Sequence, residues 1–139
     1  MAYFRDAEDV YETLGRLLTA ITADDDELAP KFRSADTVVR YEYSEPDSAI
    51  TVRLGEGEGE RVQFGEGDME PEVTMRMSAD TAHRFWLGDV DVTRALARGE
   101  ITATGPVAKL LRLVPLAKPA FPRYKQQLID QGRPDLTEV

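Results

Sequence analysis

The feature that most restricts the fold of this chain is a set of five short stretches in which apolar and polar residues alternate. Successive side chains of a strand point to opposite faces of a sheet, so each stretch predicts a strand with one apolar face. Such alternation is typical of antiparallel sheets, because buried parallel strands read as continuous apolar runs. The apolar positions are Val39, Tyr41 and Tyr43; Ile50, Val52 and Leu54; Val62 and Phe64; Val73, Met75 and Met77; and Ile101 and Ala103.

The links between the first four stretches are rich in glycine, proline and acidic residues. They are Ser44-Glu45-Pro46-Asp47, the segment 55–59, which has glycine at every second position, and Gly65-Glu66-Gly67-Asp68. Residues of these types favour tight turns, and the sequence therefore predicts hairpins at all three links.

Helical patterns lie on both sides of the strands. Residues 6–22 carry one apolar stripe, formed by Val10, Leu14, Leu17, Leu18 and Ile21, and predict a helix. An acidic run follows, and a short helix is predicted from it through Phe32.

Two short helices are predicted between the fourth and fifth strands. Ser78 is a candidate cap for the first, which stops at Gly88, and Asp91 is a candidate cap for the second, which ends at Gly99. A further helix is predicted from Pro106 to about Val114, and a last one over about residues 123–131, closed by Gly132. The expected fold class is α+β, with a five-stranded, mostly antiparallel sheet.

The bulk properties of the chain set further limits. Its 139 residues suit one domain, expected over 1–139 with a loose tail at 132–139. Without cysteine, disulfides and cysteine-ligated metal sites are excluded. The charged residues near the N-terminus, with no apolar run after them, argue against a signal peptide. No apolar run reaches the ~18 residues of a membrane span. A cytoplasmic location is therefore expected.

The charge of the chain is unevenly distributed. The net charge is −9, which argues against nucleic acid as a main partner, because phosphate binding needs a basic surface. Residues 1–104 hold 11 Lys and Arg against 23 Asp and Glu, whereas residues 105–139 hold 6 against 3. The C-terminal part is thus the basic end of an acidic protein.

No pattern of catalytic residues stands out. His83 is the single histidine and has no nearby serine or cysteine suited to a triad, so we interpret it as a partly exposed helix residue. The glycines of 55–59 precede a strand, whereas a dinucleotide-binding loop precedes a helix. The acidic residues of 56–60 and 66–70 lack the calcium-loop pattern and are interpreted as solvated charge. The sequence predicts no catalytic residue, no metal site and no cofactor.

The segment 107–117 is more apolar than one packed face requires. Val107, Leu110, Leu111 and Val114 form an inner stripe, and Leu113, Leu116 and Ala117 widen it. A helix that is apolar on more than one side must bury both sides. A tightly packed core and a ligand cavity both satisfy that requirement.

Three consecutive segments in residues 72–117 form a distinctive order. They are Ala95-Leu96-Ala97-Arg98-Gly99, then Glu100-Ile101-Thr102-Ala103-Thr104-Gly105, and then the amphipathic segment 107–113. This order gives residues 72–117 a resemblance to the sterol carrier protein type-two family of lipid-binding domains. The likeness extends over about residues 8–130, although this chain is more acidic than many members and has three prolines between 115 and 122. The resemblance implies a sheet covered on one face by helices, an apolar tunnel between them, and binding of fatty acids, fatty acyl-CoA, sterols or phospholipids without catalytic residues.

The leading hypothesis is therefore a protein that binds and carries a lipid or other apolar small molecule and performs no chemistry. This hypothesis includes no transmembrane segment and is compatible with transient contact with a membrane. The predicted cavity walls are Tyr41, Val52, Phe64, Met75, Phe85, Trp86, Leu110, Leu113, Val114, Leu116, Phe121, Tyr124 and Leu128. The residues predicted to receive a charged head group are Lys109, Arg112, Lys118, Arg123 and Lys125.

Two alternatives belong to other functional classes. The first is a scaffold or accessory subunit of a lipid- or quinone-processing enzyme. The second is an enzyme such as an isomerase, which would need an isolated carboxylate in an apolar cleft. The acidic residues fall on turns, helix starts and outward strand positions, which argues against the second.

Overall fold

A five-stranded sheet forms the centre of the protein. The structure is a computed structural model and describes residues 3–55 and 61–137. The strands run in the order β3-β2-β1-β4-β5, and β1 pairs in parallel with β4 while the other three neighbouring pairs are antiparallel. The mostly antiparallel α+β fold predicted from the alternation is confirmed. The strands are β1 (Thr37–Ser44), β2 (Ser48–Leu54), β3 (Val62–Phe64), β4 (Val73–Ser78) and β5 (Thr102–Thr104).

One of the three predicted hairpins is wrong. The link after β3 does not turn back onto it, because β4 lies on the far side of β1 and runs parallel to it. Glycine and acidic residues suit this longer crossing as well as a tight turn, so local composition could not distinguish the two. The turn between β1 and β2 is a hairpin, and residues 56–60 of the other predicted turn lie outside the described residues.

The strand register brings the apolar positions together on one face. Val39 of β1 lies between Val52 of β2 and Val73 of β4, and Tyr41 lies between Ile50 and Met75. Val39, Val52 and Val73 are buried. This face supplies one wall of the interior.

The N-terminal helix, residues 7–24, packs on that face. Its α-helical stretches are α1 (Ala7–Val10) and α2 (Arg16–Thr19), each followed by a π-helical turn, Tyr11–Gly15 and Ala20–Asp24. All five residues of its predicted apolar stripe are buried. Gly15 allows a close approach of the Phe64 ring, because a Cβ atom there would lie 2.7 Å from that ring and the ring would have to shift. The short helix α3 (Ala29–Arg33) follows.

Two capped helices join β4 to β5, as the sequence predicts. The Ser78 hydroxyl accepts a hydrogen bond from the Thr81 amide at the start of α4 (Ala79–Trp86), and Asp91 caps α5 (Val92–Arg98) through the Arg94 amide. The chain leaves β5 through Gly105, a position that needs glycine. Its φ is +105°, and a Cβ atom there would collide with the carbonyl oxygen of Glu72.

The two C-terminal helices are longer than predicted. Helix α6 (Val107–Ala117) continues through Pro115, whose missing N–H leaves one bond of the helix unmade, and α7 (Ala120–Asp130) begins before Pro122. Pro122 is accommodated because it falls in the first turn, where backbone N–H groups have no partner within the helix.

The C-terminal segment also differs from the predicted loose tail. A 3-10 helix, Pro134–Thr137, buries Leu136. The Leu136 carbonyl lies 2.8 Å from His83 Nε2, and the Tyr124 hydroxyl lies 2.8 Å from His83 Nδ1. His83 is therefore fully buried, which corrects the expectation of a partly exposed residue.

Candidate functional site

A cavity of about 60 Å³ lies between the apolar face of the sheet and the helices. Tyr41, Val52 and Met75 line it from the sheet, and Ile21 lines it from the N-terminal helix. The full lining is Leu18, Ile21, Thr22, Phe32, Tyr41, Val52, Leu54, Met75, Met77, Phe85, Trp86, Val92, Leu96, Ile101, Leu110, Leu111, Leu113, Val114 and Ala117. The wall opposite the sheet is thus mostly helical and aliphatic.

Helix α6 is only partly buried where it forms this wall. Of its eleven residues, Leu110, Leu113 and Ala117 are buried, while Leu111 lines the cavity and is nevertheless 42% exposed. The helix also lacks one backbone hydrogen bond at Pro115. Few buried contacts and an interrupted hydrogen-bond ladder make local displacement inexpensive.

The polar groups of the cavity lining are all neutral: the Thr22 and Tyr41 hydroxyls and the Trp86 indole N–H. Thr22 donates to the Leu18 carbonyl at 2.6 Å. Burial raises the pKa of Tyr41 to about 12, so its phenol stays protonated at neutral pH. The Tyr41 hydroxyl makes no hydrogen bond within the described residues. The cavity therefore offers no charge to a guest and one hydroxyl that is free to bond it.

An open groove of about 670 Å³ adjoins the cavity. One side is the link between α4 and α5 with the start of α5, residues 88–93, and the other is formed by Leu111, Val114 and Pro115 of α6. Val92, Leu111 and Val114 line both the groove and the cavity. The two spaces thus meet at three aliphatic side chains.

The comparison of the chain with known families agrees with this arrangement. The sequence model of the SCP-2 sterol transfer family matches residues 14–118, a range that contains every residue lining the cavity. The chain belongs to the SCP-2 sterol transfer family. Comparison with curated proteins finds no match.

Solved structures of the SCP-2 fold resemble this one. The sterol carrier protein domain 2 of Helicoverpa armigera superposes with a TM-score of 0.64 at 22% identity, covering 88% of this chain and 97% of that one. The UbiJ-SCP2 ubiquinone synthesis protein gives 0.57 at 20% identity, covering 77% and 87%. Palmitated SCP2L2 from Aedes aegypti gives 0.54 at 17% identity, covering 78% and 94%. These likenesses show a shared fold.

Within this SCP-2 fold, eight of the thirteen predicted wall residues line the cavity. They come from three strands and from two helices, so residues far apart in the sequence meet at one space. The eight are Tyr41, Val52, Met75, Phe85, Trp86, Leu110, Leu113 and Val114.

The other five predicted wall residues lie elsewhere. Phe64 stacks on Tyr11 at 4.9 Å, against Gly15, and is 46% exposed. Tyr124 and Leu128 of α7 are wholly buried. Phe121 makes an edge-to-face pair with Phe85 at 5.9 Å, and Leu116 is half-buried against the core.

None of the five predicted head-group residues lines the cavity or the groove. Lys109 pairs with Glu72 at 2.6 Å, and the hydrogen bond from Lys109 lowers the pKa of that carboxyl. Arg123 pairs with Asp25, whose pKa is lowered first by the Leu28 amide and further by Arg123. The other three, Arg112, Lys118 and Lys125, are exposed.

Sequence reasoning missed the part of the lining given by the N-terminal helix, α3 and α5. Ile21 belongs to the apolar stripe that predicts the N-terminal helix, and Leu96 lies in the short helix predicted between Asp91 and Gly99. Apolar periodicity marks the buried side of a helix, but it does not distinguish a wall of a cavity from a close-packed contact.

Two features of the described residues limit other interpretations of the site. In residues 3–55 and 61–137, no three or more His, Asp or Glu side chains are grouped so that they could hold a metal ion. In the same ranges, the helices are too short or too polar to cross a membrane.

Proposed function

We propose that this chain binds the hydrocarbon part of a lipid in the cavity between the sheet and α6 and carries it without chemical change. The observation that supports this most is an almost wholly apolar cavity that shares Val92, Leu111 and Val114 with an open groove. The apolar walls suit a hydrocarbon chain, and the groove provides space for a polar end.

The cavity must enlarge to take such a guest. A cavity of about 150 Å³ is known to hold benzene, so the present volume of about 60 Å³ is too small for an acyl chain. Outward movement of α6 would add the volume, because this helix has few buried contacts and an interruption at Pro115. Each methylene buried contributes about 0.8 kcal/mol, so about ten methylenes contribute about 8 kcal/mol before the costs of binding and opening.

The SCP-2 fold itself supports the proposal. A protein of this fold, SCP2L2 from Aedes aegypti, is described in a palmitated form. Its identity with this chain is 17%, so the ligand of this chain is a separate question.

The test is displacement of a fluorescent long-chain alcohol from the delipidated protein. Val114→Trp places a large ring between the groove and the cavity, whereas Leu116→Trp makes the same change at a half-buried position of α6 that lines neither. We expect Val114→Trp to weaken binding about tenfold, or about 1.4 kcal/mol, and Leu116→Trp to change it less than twofold. Equal effects of the two variants, or no saturable binding to the wild type, would contradict the proposal.

A second candidate, an accessory subunit of a lipid- or quinone-processing enzyme, is favoured by the small volume of the cavity. A protein of the same fold is described as the UbiJ-SCP2 ubiquinone synthesis protein. Mass spectrometry of the organic extract of the purified chain distinguishes the candidates. A stoichiometric lipid supports the carrier, and its absence together with absence of probe binding supports the accessory subunit.

A further inference from the structure

The groove beside the cavity has an acidic rim. Its lining contains two titratable side chains, Asp89 and Asp91, both exposed, and among the described residues that line it there is no lysine, arginine or histidine. The remaining lining is glycine, threonine, valine, leucine and proline. The polar end of a bound lipid would therefore meet carboxylates, not the cations that the sequence suggested.

Neither of these carboxylates forms an ion pair with a lysine or arginine in the described part of the chain. Asp91 accepts a hydrogen bond from the Arg94 amide at 3.2 Å, which caps α5, but the Arg94 side chain is exposed and does not pair with it. The rim thus carries negative charge beside the side chains at which the groove meets the cavity.

We propose that this groove receives the polar end of the lipid and that Asp89 and Asp91 make the chain selective for uncharged lipids over anionic ones. The inference rests on the proposed function, because it assumes that the hydrocarbon part lies in the cavity. A long-chain alcohol can donate a hydrogen bond to a rim carboxylate, whereas a carboxylate head is repelled by both. Two like charges at contact distance near water give a discrimination of about tenfold at low salt.

The experiment compares 1-dodecanol with dodecanoate, which share a twelve-carbon chain. Each lipid displaces the fluorescent long-chain alcohol from the delipidated protein at pH 7.5, where dodecanoate is ionised. The test variant is Asp89→Asn/Asp91→Asn, since asparagine also caps helices well and α5 should be kept. The control is Glu66→Gln/Glu70→Gln, which removes two exposed carboxylates that do not line the groove.

We expect the wild type to bind dodecanol about tenfold more tightly than dodecanoate in low salt. The Asp89→Asn/Asp91→Asn variant should reduce this ratio to about twofold, and the control should leave it unchanged, as expected if the charges act locally. An unchanged ratio in the test variant, or tighter binding of dodecanoate to the wild type, would overturn the inference while leaving the proposed function intact. Absence of binding by the probe and both lipids would overturn both.

Discussion

Helices α6 and α7 each have eleven residues and carry apolar stripes, yet they pack in different ways. Helix α7 buries Ala120, Tyr124 and Leu128 completely, and the Tyr124 hydroxyl is hydrogen-bonded to the buried His83. Helix α6 instead lines both the cavity and the groove, and Leu111, one of its lining residues, is 42% exposed. The comparison shows that an apolar stripe can complete a core in one helix and form the wall of a cavity in the next.

The largest expected effect is on the stability of matched leucine variants in the two helices. Leu128→Ala should lower the free energy of unfolding by about 4 kcal/mol, because a fully buried side chain loses contacts on every side. Leu113→Ala should cost about 2 kcal/mol, because one side of Leu113 already faces the cavity and has fewer contacts to lose. Urea unfolding measures the free energy of unfolding of each variant. Equal losses in the two variants would contradict the proposed difference in packing between α6 and α7.

A smaller effect is expected from matched tyrosine variants. Tyr124→Phe leaves buried His83 without its 2.8 Å partner and should cost about 1–3 kcal/mol. Tyr41→Phe removes a hydroxyl that makes no hydrogen bond within the described residues, so it should change stability by less than about 0.5 kcal/mol. The same urea titration measures both. If Tyr41→Phe lowered the free energy of unfolding as much as Tyr124→Phe, the Tyr41 hydroxyl would also have to be hydrogen-bonded in the folded protein, which would contradict this prediction.

The smallest effect is a pH dependence at the α7 side of the interior. Burial lowers the pKa of His83, so its neutral form is favoured by folding. Its contribution to stability is therefore present above the unfolded pKa of about 6.5 and is lost as pH falls through the lower folded-state value.

Because His83 is the single histidine, its ring protons can be assigned in an NMR titration without ambiguity. We expect them to show no transition near pH 6.5 while the protein remains folded. A midpoint at or above 6.5 would mean that the ring is not held neutral by the packing against Tyr124 and Leu136.

Much of the fold follows from local patterns in the sequence. The alternation of apolar and polar residues predicted the positions of the five strands. The helix caps at Ser78 and Asp91 were predicted because short polar side chains there can accept a hydrogen bond from the first helical turn. The crossing from β3 to β4 could not be predicted, because it depends on which strands pair across the sheet. Turn composition predicted the β1–β2 hairpin correctly, but it does not determine pairing between strands that a longer link joins.

The site was less predictable than the fold, for a related reason. Phe64 alternates with polar residues in the same way as the strand residues that line the cavity. It lies, however, in the edge strand β3, where its ring stacks on Tyr11. Leu128 has the helical spacing of a wall residue, yet it is completely packed. Spacing within one element determines which side is buried, and the neighbouring elements determine whether a space remains.

The proposed function requires a hydrocarbon chain to enter between α6 and the sheet, and isotope-filtered NMR tests this most directly. With ¹³C-labelled 1-dodecanol bound, we predict nuclear Overhauser contacts from its methylenes to the methyl groups of Leu113, Ile101 and Val92, and none to Leu128. Contacts confined to the outer surface of the protein, or no bound lipid at all, would contradict the proposed function.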